Sequence, residues 1–415
     1  MKKSDSKYSK TKMAVAFASV VALGLSATAA TSASAATASC VVTTGKTIKV
    51  GFLNSLSGTM AISEKTVQDA QNLAVKEINA AGGVNGKKIT VVQEDGASDP
   101  ATFAQKAQKL IQQDCVAAVF GGWTSSSRKA MLPVFESNNS LLFYPVQYEG
   151  LESSKNIYYT GATTNQQIIP ALDYLKTKKI KKIFLVGSDY VFPRTANKEI
   201  KAYAAANGMT VVGEEYAPLG STDFTTIANK LKSAGAEAIL NTINGDSNVA
   251  FFKQYGSLGL NAKNCPVISF SIGEEEVKGV GLQYLKGQYT AWNYYQTVKS
   301  AANTKFVAAF KKEYGSARKT SDPMEASYAA VNLWALMATK AKSFTTDAIN
   351  KAAAGTKFVA PEGTVVVDGS NHHITKTPLI GIVNAAGLID TVWKAPKPVT
   401  PDPYLTGYTW AKGLK

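Results

Sequence analysis

Residues 141–150, Leu-Leu-Phe-Tyr-Pro-Val-Gln-Tyr-Glu-Gly, and residues 183–195, Ile-Phe-Leu-Val-Gly-Ser-Asp-Tyr-Val-Phe-Pro-Arg-Thr, share one plan. In each, a short apolar strand (Leu141–Phe143, Ile183–Val186) runs straight into a polar, aromatic-rich segment (143–150, 187–195). Ligands of open α/β sheets bind just outside the carboxyl ends of the strands. The two polar runs therefore read as the jaws of a cleft, and their tyrosines as candidate ligand contacts.

Outward from these runs, short apolar segments alternate with amphipathic ones. Strands are expected at Ile48–Leu53, Ile89–Val92, Val116–Phe120 and Leu141–Tyr144, with helices at Val67–Asn79, Ala101–Gln113 and Arg128–Ser137 between them. This is the βαβ pattern of a parallel sheet. The first helix stops at Ala80-Ala81-Gly82-Gly83, where glycine supplies the left-handed conformation. A second series follows from about residue 163: helix Gln166–Lys176, strand Ile183–Val186, helix Asn197–Asn207, strand Thr210–Glu214, helix Phe224–Ala234, strand Ala238–Thr242 and helix Val249–Leu258. Two half-chains of this size imply two doubly wound, Rossmann-like α/β lobes. Helices at Lys305–Tyr314 and Pro323–Lys342 return to the first lobe, which requires several crossovers and a hinge. The expected partition is 46–163 plus about 293–366 for the first lobe and 164–292 plus about 367–415 for the second.

The amino terminus reads as a secretory signal peptide over residues 1–35. Five lysines precede the uncharged stretch Met13–Leu25, and Ala33-Ser34-Ala35 supplies a cleavage signal. The leader carries +4 of the formal +15, so about +11 remains, spread as lysine through the chain. Without an arginine cluster or a reader motif that charge is a solvated surface, and no nucleic-acid partner is expected. Of three cysteines, Cys40 precedes the first strand and Cys115 opens the third, positions that a doubly wound sheet brings close in an oxidising compartment. Cys40 as a lipidated amino terminus is the alternative, although Thr37-Ala38-Ser39 is a poor lipobox. Cys265 is expected as a buried free thiol.

Enzyme chemistry finds little support. His372-His373 is the whole histidine content and lacks the spacing of a metal site, so neither a metal nor a Ser-His-Asp triad is expected. There is no Gly-x-Gly-x-x-Gly and no phosphate loop, and no cofactor is expected.

Several ordered motifs carry a family resemblance from about Ile48 to Leu405. They are Leu56-Ser57-Gly58-Thr59-Met60-Ala61-Ile62-Ser63, Gly121-Gly122-Trp123-Thr124-Ser125-Ser126-Ser127-Arg128-Lys129, the two opening runs, Asn244-Gly245-Asp246-Ser247-Asn248, Ser269-Phe270-Ser271-Ile272-Gly273-Glu274-Glu275-Glu276 and Ser321-Asp322-Pro323-Met324-Glu325-Ala326. With them the chain resembles the type I periplasmic binding proteins of ABC importers, in the urea and short-chain-amide branch. The resemblance implies a Venus-flytrap fold and an extracytoplasmic protein that delivers a solute to a membrane permease.

Urea has one carbonyl acceptor and four N–H donors, so its pocket needs a donor or two and several acceptors. Ser125, just ahead of a helix, offers a hydroxyl and nearby backbone N–H groups to the carbonyl. The hydroxyls of Tyr144 and Tyr190, the side-chain carbonyl of Gln147 and a carboxylate from Glu274 or Glu275 are the expected acceptors. Trp123 and Trp292 are expected as flat walls that exclude water. The resemblance implies that Ser125 and Tyr144 keep their roles, whereas amide binders place a second proline where this chain has Gln147. That exchange suits a second NH2 and tilts the expected ligand to urea; short-chain amides and branched-chain amino acids are the alternatives.

Overall fold

The computed structural model describes residues 40–414, so the signal-peptide reading lies outside the described residues. The chain begins with β1 (Thr47–Asn54), α1 (Ala61–Ala80), β2 (Lys88–Asp95), α2 (Pro100–Gln112), β3 (Val119–Gly121), α3 (Ser125–Ser137), β4 (Leu142–Tyr144) and β5 (Ile157–Tyr159). It continues with α4 (Ile168–Thr177), β6 (Lys182–Ser188), α5 (Val191–Ala206), β7 (Thr210–Ala217), α6 (Thr225–Ser233), β8 (Ala238–Thr242), α7 (Ser247–Ser257), β9 (Val267–Ser269), α8 (Glu274–Val280), α9 (Leu282–Leu285) and β10 (Tyr289–Trp292). The last part contains α10 (Ala301–Tyr314), α11 (Asp322–Ala341), α12 (Thr346–Ala353), β11 (Lys357–Ala360), β12 (Gly363–Val366), β13 (Leu379–Val383) and β14 (Ile389–Lys394).

The first sheet has the order β2-β1-β3-β4-β5 and is parallel throughout. The second has the order β14-β13-β10-β9-β8-β6-β7, parallel from β10 to β7 and antiparallel where β13 and β14 extend it. A parallel sheet is buried on both faces, which accounts for strands such as Ile183–Val186 being apolar at every position. This is the type I periplasmic binding protein fold, two α/β lobes with mostly parallel sheets.

Buried apolar residues divide accordingly. One cluster joins Ile48–Tyr159 to Tyr294–Ile374, with Phe120 packed edge-on against Trp334 of α11. Two others lie on the faces of the second sheet and draw on 168–295 and 379–411. Val367 and Ile374 pack in the first cluster, so the third crossing lies beyond the expected position near 366. The three crossings run side by side and are tied together. Gln166 donates to the carbonyls of Ile374 (3.0 Å) and Val399 (2.9 Å), Asn293 donates to the carbonyl of Gln166 (3.0 Å), and buried Lys376 bonds the Thr160 carbonyl (3.2 Å) and pairs with Glu362 (2.8 Å).

Helix starts differ from the sequence reading in a way that matters for the site. α1 begins at Ala61 rather than Val67, directly after a tight turn in which Gly58 (φ +77°) lies against Ala97 and Ser98. α5 begins at Val191 rather than Asn197, which makes Tyr190 its N-cap residue. The apolar periodicity by which a helix is recognised is interrupted by Ser63-Glu64-Lys65 in α1 and by Pro193-Arg194-Thr195 in α5. Cys40 and Cys115 are joined by a disulfide across 5.2 Å between α-carbons, which takes the sulfur that a lipid anchor at Cys40 would need. Cys265 is buried and free. Among the described residues, no helix is long and apolar enough to cross a membrane.

Candidate functional site

Strand order locates the site. In the first sheet the chain leaves β1 towards β2 on one side and returns to β3 on the other, so the crevice between the ends of β1 and β3 is a topological switch point. In the second sheet the same reversal occurs between β6 and β8. The segments that follow these four strands are Ser55–Met60, Gly122–Thr124, Asp189–Tyr190 and Ile243–Asp246. Gly121 fixes the first crevice: it has φ +134°, and a β-carbon there would lie 2.1 Å from the Leu53 carbonyl oxygen.

The two lobes meet across the cleft through direct hydrogen bonds. Trp123 Nε1 donates to Asn244 Oδ1 at 3.0 Å. Gln147 Nε2 donates to the Phe270 carbonyl and to Ser271 Oγ, both at 2.9 Å. The Asp246 N–H donates to the Thr59 carbonyl at 3.2 Å, and the Thr59 hydroxyl donates to the Asp246 carboxylate. This is a closed conformation.

Behind the first-lobe wall lies a buried ionic cluster. Arg128, wholly enclosed on α3, donates to Glu149 (3.0 Å) and Glu152 (2.7 Å), and its guanidinium lies over the rings of Tyr144 and Tyr148. Burial alone would raise the Glu152 carboxyl, but Arg128 and then Lys129 prevail and hold it at about 2. Ser125 donates to Glu149 and accepts from Arg128 Nη1 at 3.0 Å, so its hydroxyl is committed to the cluster. What α3 offers the cleft at this point is its first-turn N–H groups, which have no partner within the helix. Thr124 caps that turn by accepting from the Ser127 N–H at 3.1 Å.

Tyr144 is fully buried and donates to the Trp123 carbonyl, and burial pushes its phenol well above the ordinary range. Gln147 has spent its NH2 on the second lobe, while its side-chain oxygen is buried with no partner. Tyr190 is half-buried; its phenol is raised chiefly by desolvation and then by Tyr144 and Glu149, a sign that it stands near both from the opposite lobe.

Ser125, Tyr144, Gln147 and Trp123 are thus gathered on the first lobe, with Tyr190 opposite. Trp292 is packed in the core of the second lobe and donates Nε1 to the Ile272 carbonyl at 2.8 Å. Glu274 is fully buried at the start of α8: one oxygen accepts from the Gln296 N–H (2.7 Å), the other has no partner, and desolvation raises it well above a carboxylate's usual range. Glu275 is turned away. It accepts from the Lys319 N–H (2.6 Å) and lines an outer groove with Leu56, Ile62, Lys278 and Arg318. Sequence reasoning did not single out Arg128, Glu149 or Asn244, although all three stand within the quoted motifs. Among the described residues, no group of histidine, cysteine and acidic side chains is arranged to hold a metal.

A closed, two-lobed cleft at paired switch points, walled by polar groups, defines a solute-binding protein. A family model described as periplasmic binding protein domain matches residues 48–409, and the chain belongs to that family. It is 27% identical to Leu/Ile/Val-binding protein homolog 6 of Brucella melitensis over 339 residues, 79% of this chain and 85% of that one. Among solved structures it is similar to the branched-chain amino acid transporter substrate-binding protein of Streptococcus pneumoniae in complex with isoleucine (26% identity, TM-score 0.75, 86% of this chain and 100% of that one). It is also similar to an ABC-transporter solute-binding protein of Rhodopseudomonas palustris in complex with 3,4-dihydroxybenzoic acid (26% identity, TM-score 0.77, 85% and 98%). These relatives are binding proteins of transport systems, and this chain is a binding protein rather than an enzyme.

Proposed function

We propose that this protein captures urea, or a closely related small neutral amide, outside the cytoplasm and delivers it to the membrane permease of an ABC importer. The observation that carries the reading is Gln147: its NH2 reaches across to Phe270 and Ser271 while its oxygen stays buried and unpaired, an acceptor waiting for an N–H donor. A buried acceptor without a partner costs roughly 1–3 kcal/mol, which a ligand N–H recovers only when the cleft is closed. Ligand binding would then favour closure through contacts made in that state alone.

Two further features support a small neutral ligand. Gln147 and Trp123 hold the lobes within single hydrogen bonds of each other, which leaves room for few ligand atoms. The buried cation nearest the site, Arg128, already serves two glutamates, so the carboxylate of an amino acid or a benzoate would meet negative charge there. The leader read in the sequence and the Cys40–Cys115 disulfide fit an exported protein.

Calorimetric titration with urea, acetamide, formamide, thiourea and leucine tests the reading. Urea is expected to bind most tightly; tight leucine or acetamide binding with no heat from urea would overturn it. In Gln147→Leu, urea affinity should fall at least about tenfold, with acetamide affected less, because acetamide has only one NH2 to satisfy.

A further inference from the structure

The first turn of α1 contains a second acceptor that no motif announced. Glu64 is 1% exposed. Its Oε2 accepts from the Ser55 N–H at 2.7 Å, just beyond the end of β1, and its Oε1 is buried with no partner. That position is one rim of the first-lobe switch point, opposite the Gly122–Ser125 rim. The turn preceding the helix touches the second lobe directly, through Thr59 on Gly245 and Asp246. Tyr190, on the facing lobe, feels the charge of Glu64 as well as those of Tyr144, Glu149 and Arg128, so it stands near all four.

An isolated carboxyl with one oxygen fixed by a backbone N–H and the other bare is expensive to bury unless something arrives to meet it. We infer that Glu64 is a ligand-contacting, specificity-determining residue whose free oxygen accepts an N–H from the bound amide, the role that sequence reasoning had given to Glu274 or Glu275. This deepens the urea reading and rests on it. Gln147 and Glu64 then provide two buried acceptors for a ligand with two NH2 groups, whereas a mono-amide leaves one of them unpaired.

Burial raises the Glu64 carboxyl to about 8, against the lowering effect of its Ser55 bonds, with a smaller push from Asp95. The titratable groups around it are Asp95 at the end of β2, Tyr190 at the head of α5 and Glu276 of α8, which lies against the neighbouring Ser63. An N–H donor favours the ionised carboxylate, so binding competes with a proton on Glu64. Affinity should rise about tenfold per pH unit below the carboxyl's pKa and level off above it.

The test is calorimetric titration of the wild-type chain and Glu64→Gln with urea from pH 6 to 9, with thermal unfolding as the control for folding. The glutamine keeps an acceptor for the Ser55 N–H and turns an NH2 towards the cleft, so at about pH 9, where the wild-type carboxylate is ionised, urea affinity is expected to fall at least about thirtyfold, with a flat pH profile. Wild-type affinity that is flat or falls with pH, or a Glu64→Gln chain that binds urea like the wild type, would overturn the assignment. Failure of the wild type to bind urea at any pH would instead remove the urea reading on which it rests.

Discussion

Behind the cleft wall of the first lobe stands charge: Arg128 enclosed between Glu149 and Glu152, with Tyr144 and Tyr148 against its guanidinium. The equivalent place in the second lobe is neutral. Asn241, at the end of β8, donates to Asn248 Oδ1 (2.9 Å) and Ser269 Oγ (3.1 Å), and Asn248 donates in turn to the Ile243 carbonyl (2.9 Å). The first lobe presents Gln147 and Glu64 with bare buried oxygens; the second answers with Asn244, Ser271, the Phe270 carbonyl and Tyr190, and has bare carboxyl oxygens of its own at Glu199 and Glu274. A rigid ionic backing holds its polar wall in one geometry, whereas a neutral network lets the other lobe separate from it without stranding a charge. Under the proposed function the first lobe acts as the receptor and the second as the cover.

The largest expected effect tests the ionic backing. Arg128→Met should cost about 3–5 kcal/mol in chemical denaturation, because buried Glu149 loses its close cation and Glu152 is left with only Lys129. Asn241→Ala in the second lobe should cost about 1–3 kcal/mol, since it strands only neutral groups. Equal losses would break the contrast between the lobes.

The next effect concerns closure. Gly245 has φ +69°, and a β-carbon there would meet the Thr59 carbonyl oxygen at 2.7 Å. Gly245→Ala should hold the cover off the receptor and weaken ligand affinity about tenfold, read by titration, with small-angle scattering showing a more open apo and liganded form. Unchanged affinity would mean that this contact has no part in closure.

The smallest effect at neutral pH belongs to the rear of the first lobe. Burial lowers His372 to about 4 and His373 to about 3, below the ordinary value near 6.5, while Asp368 opposes the shift in both. Because their folded values are depressed, the stability they contribute is complete above about pH 6.5 and is lost as pH falls towards 4 and 3. Each should give a slope of about 1.4 kcal/mol per pH unit within that window. His372→Asn, which suits the left-handed backbone at this position (φ +61°), should remove one proton's worth of that slope. An unaltered slope in guanidinium unfolding would show that His372 does not titrate with unfolding.

The site was legible in the sequence in proportion to how local its signals were. Tyr144, Gln147 and Tyr190 stand at or beyond the ends of recognisable strands, and the rule that ligands sit beyond strand ends made them candidates. Glu64 was not a candidate because the helix was read from Val67, whereas Ile62-Ser63-Glu64 belongs to its first turn. Glu275 misled because three consecutive glutamates at a helix start leave open which one faces inward. The helix turns by about 100° per residue, so Glu274 is enclosed while Glu275 lies on the outer groove.

What the sequence determined by itself was the alternation of strand and helix, the two lobes, the pairing of Cys40 with Cys115 as one of two fates for that sulfur, and the family. Each of these is written in local periodicity or in ordered motifs. Tertiary structure alone decided which polar groups face one another across the cleft, because strand order joins residues far apart in the chain: Trp123 to Asn244, Gln147 to Ser271, Thr59 to Asp246. It also decided which polar atoms end up buried without a partner, a property of how two lobes close and not of any segment within them.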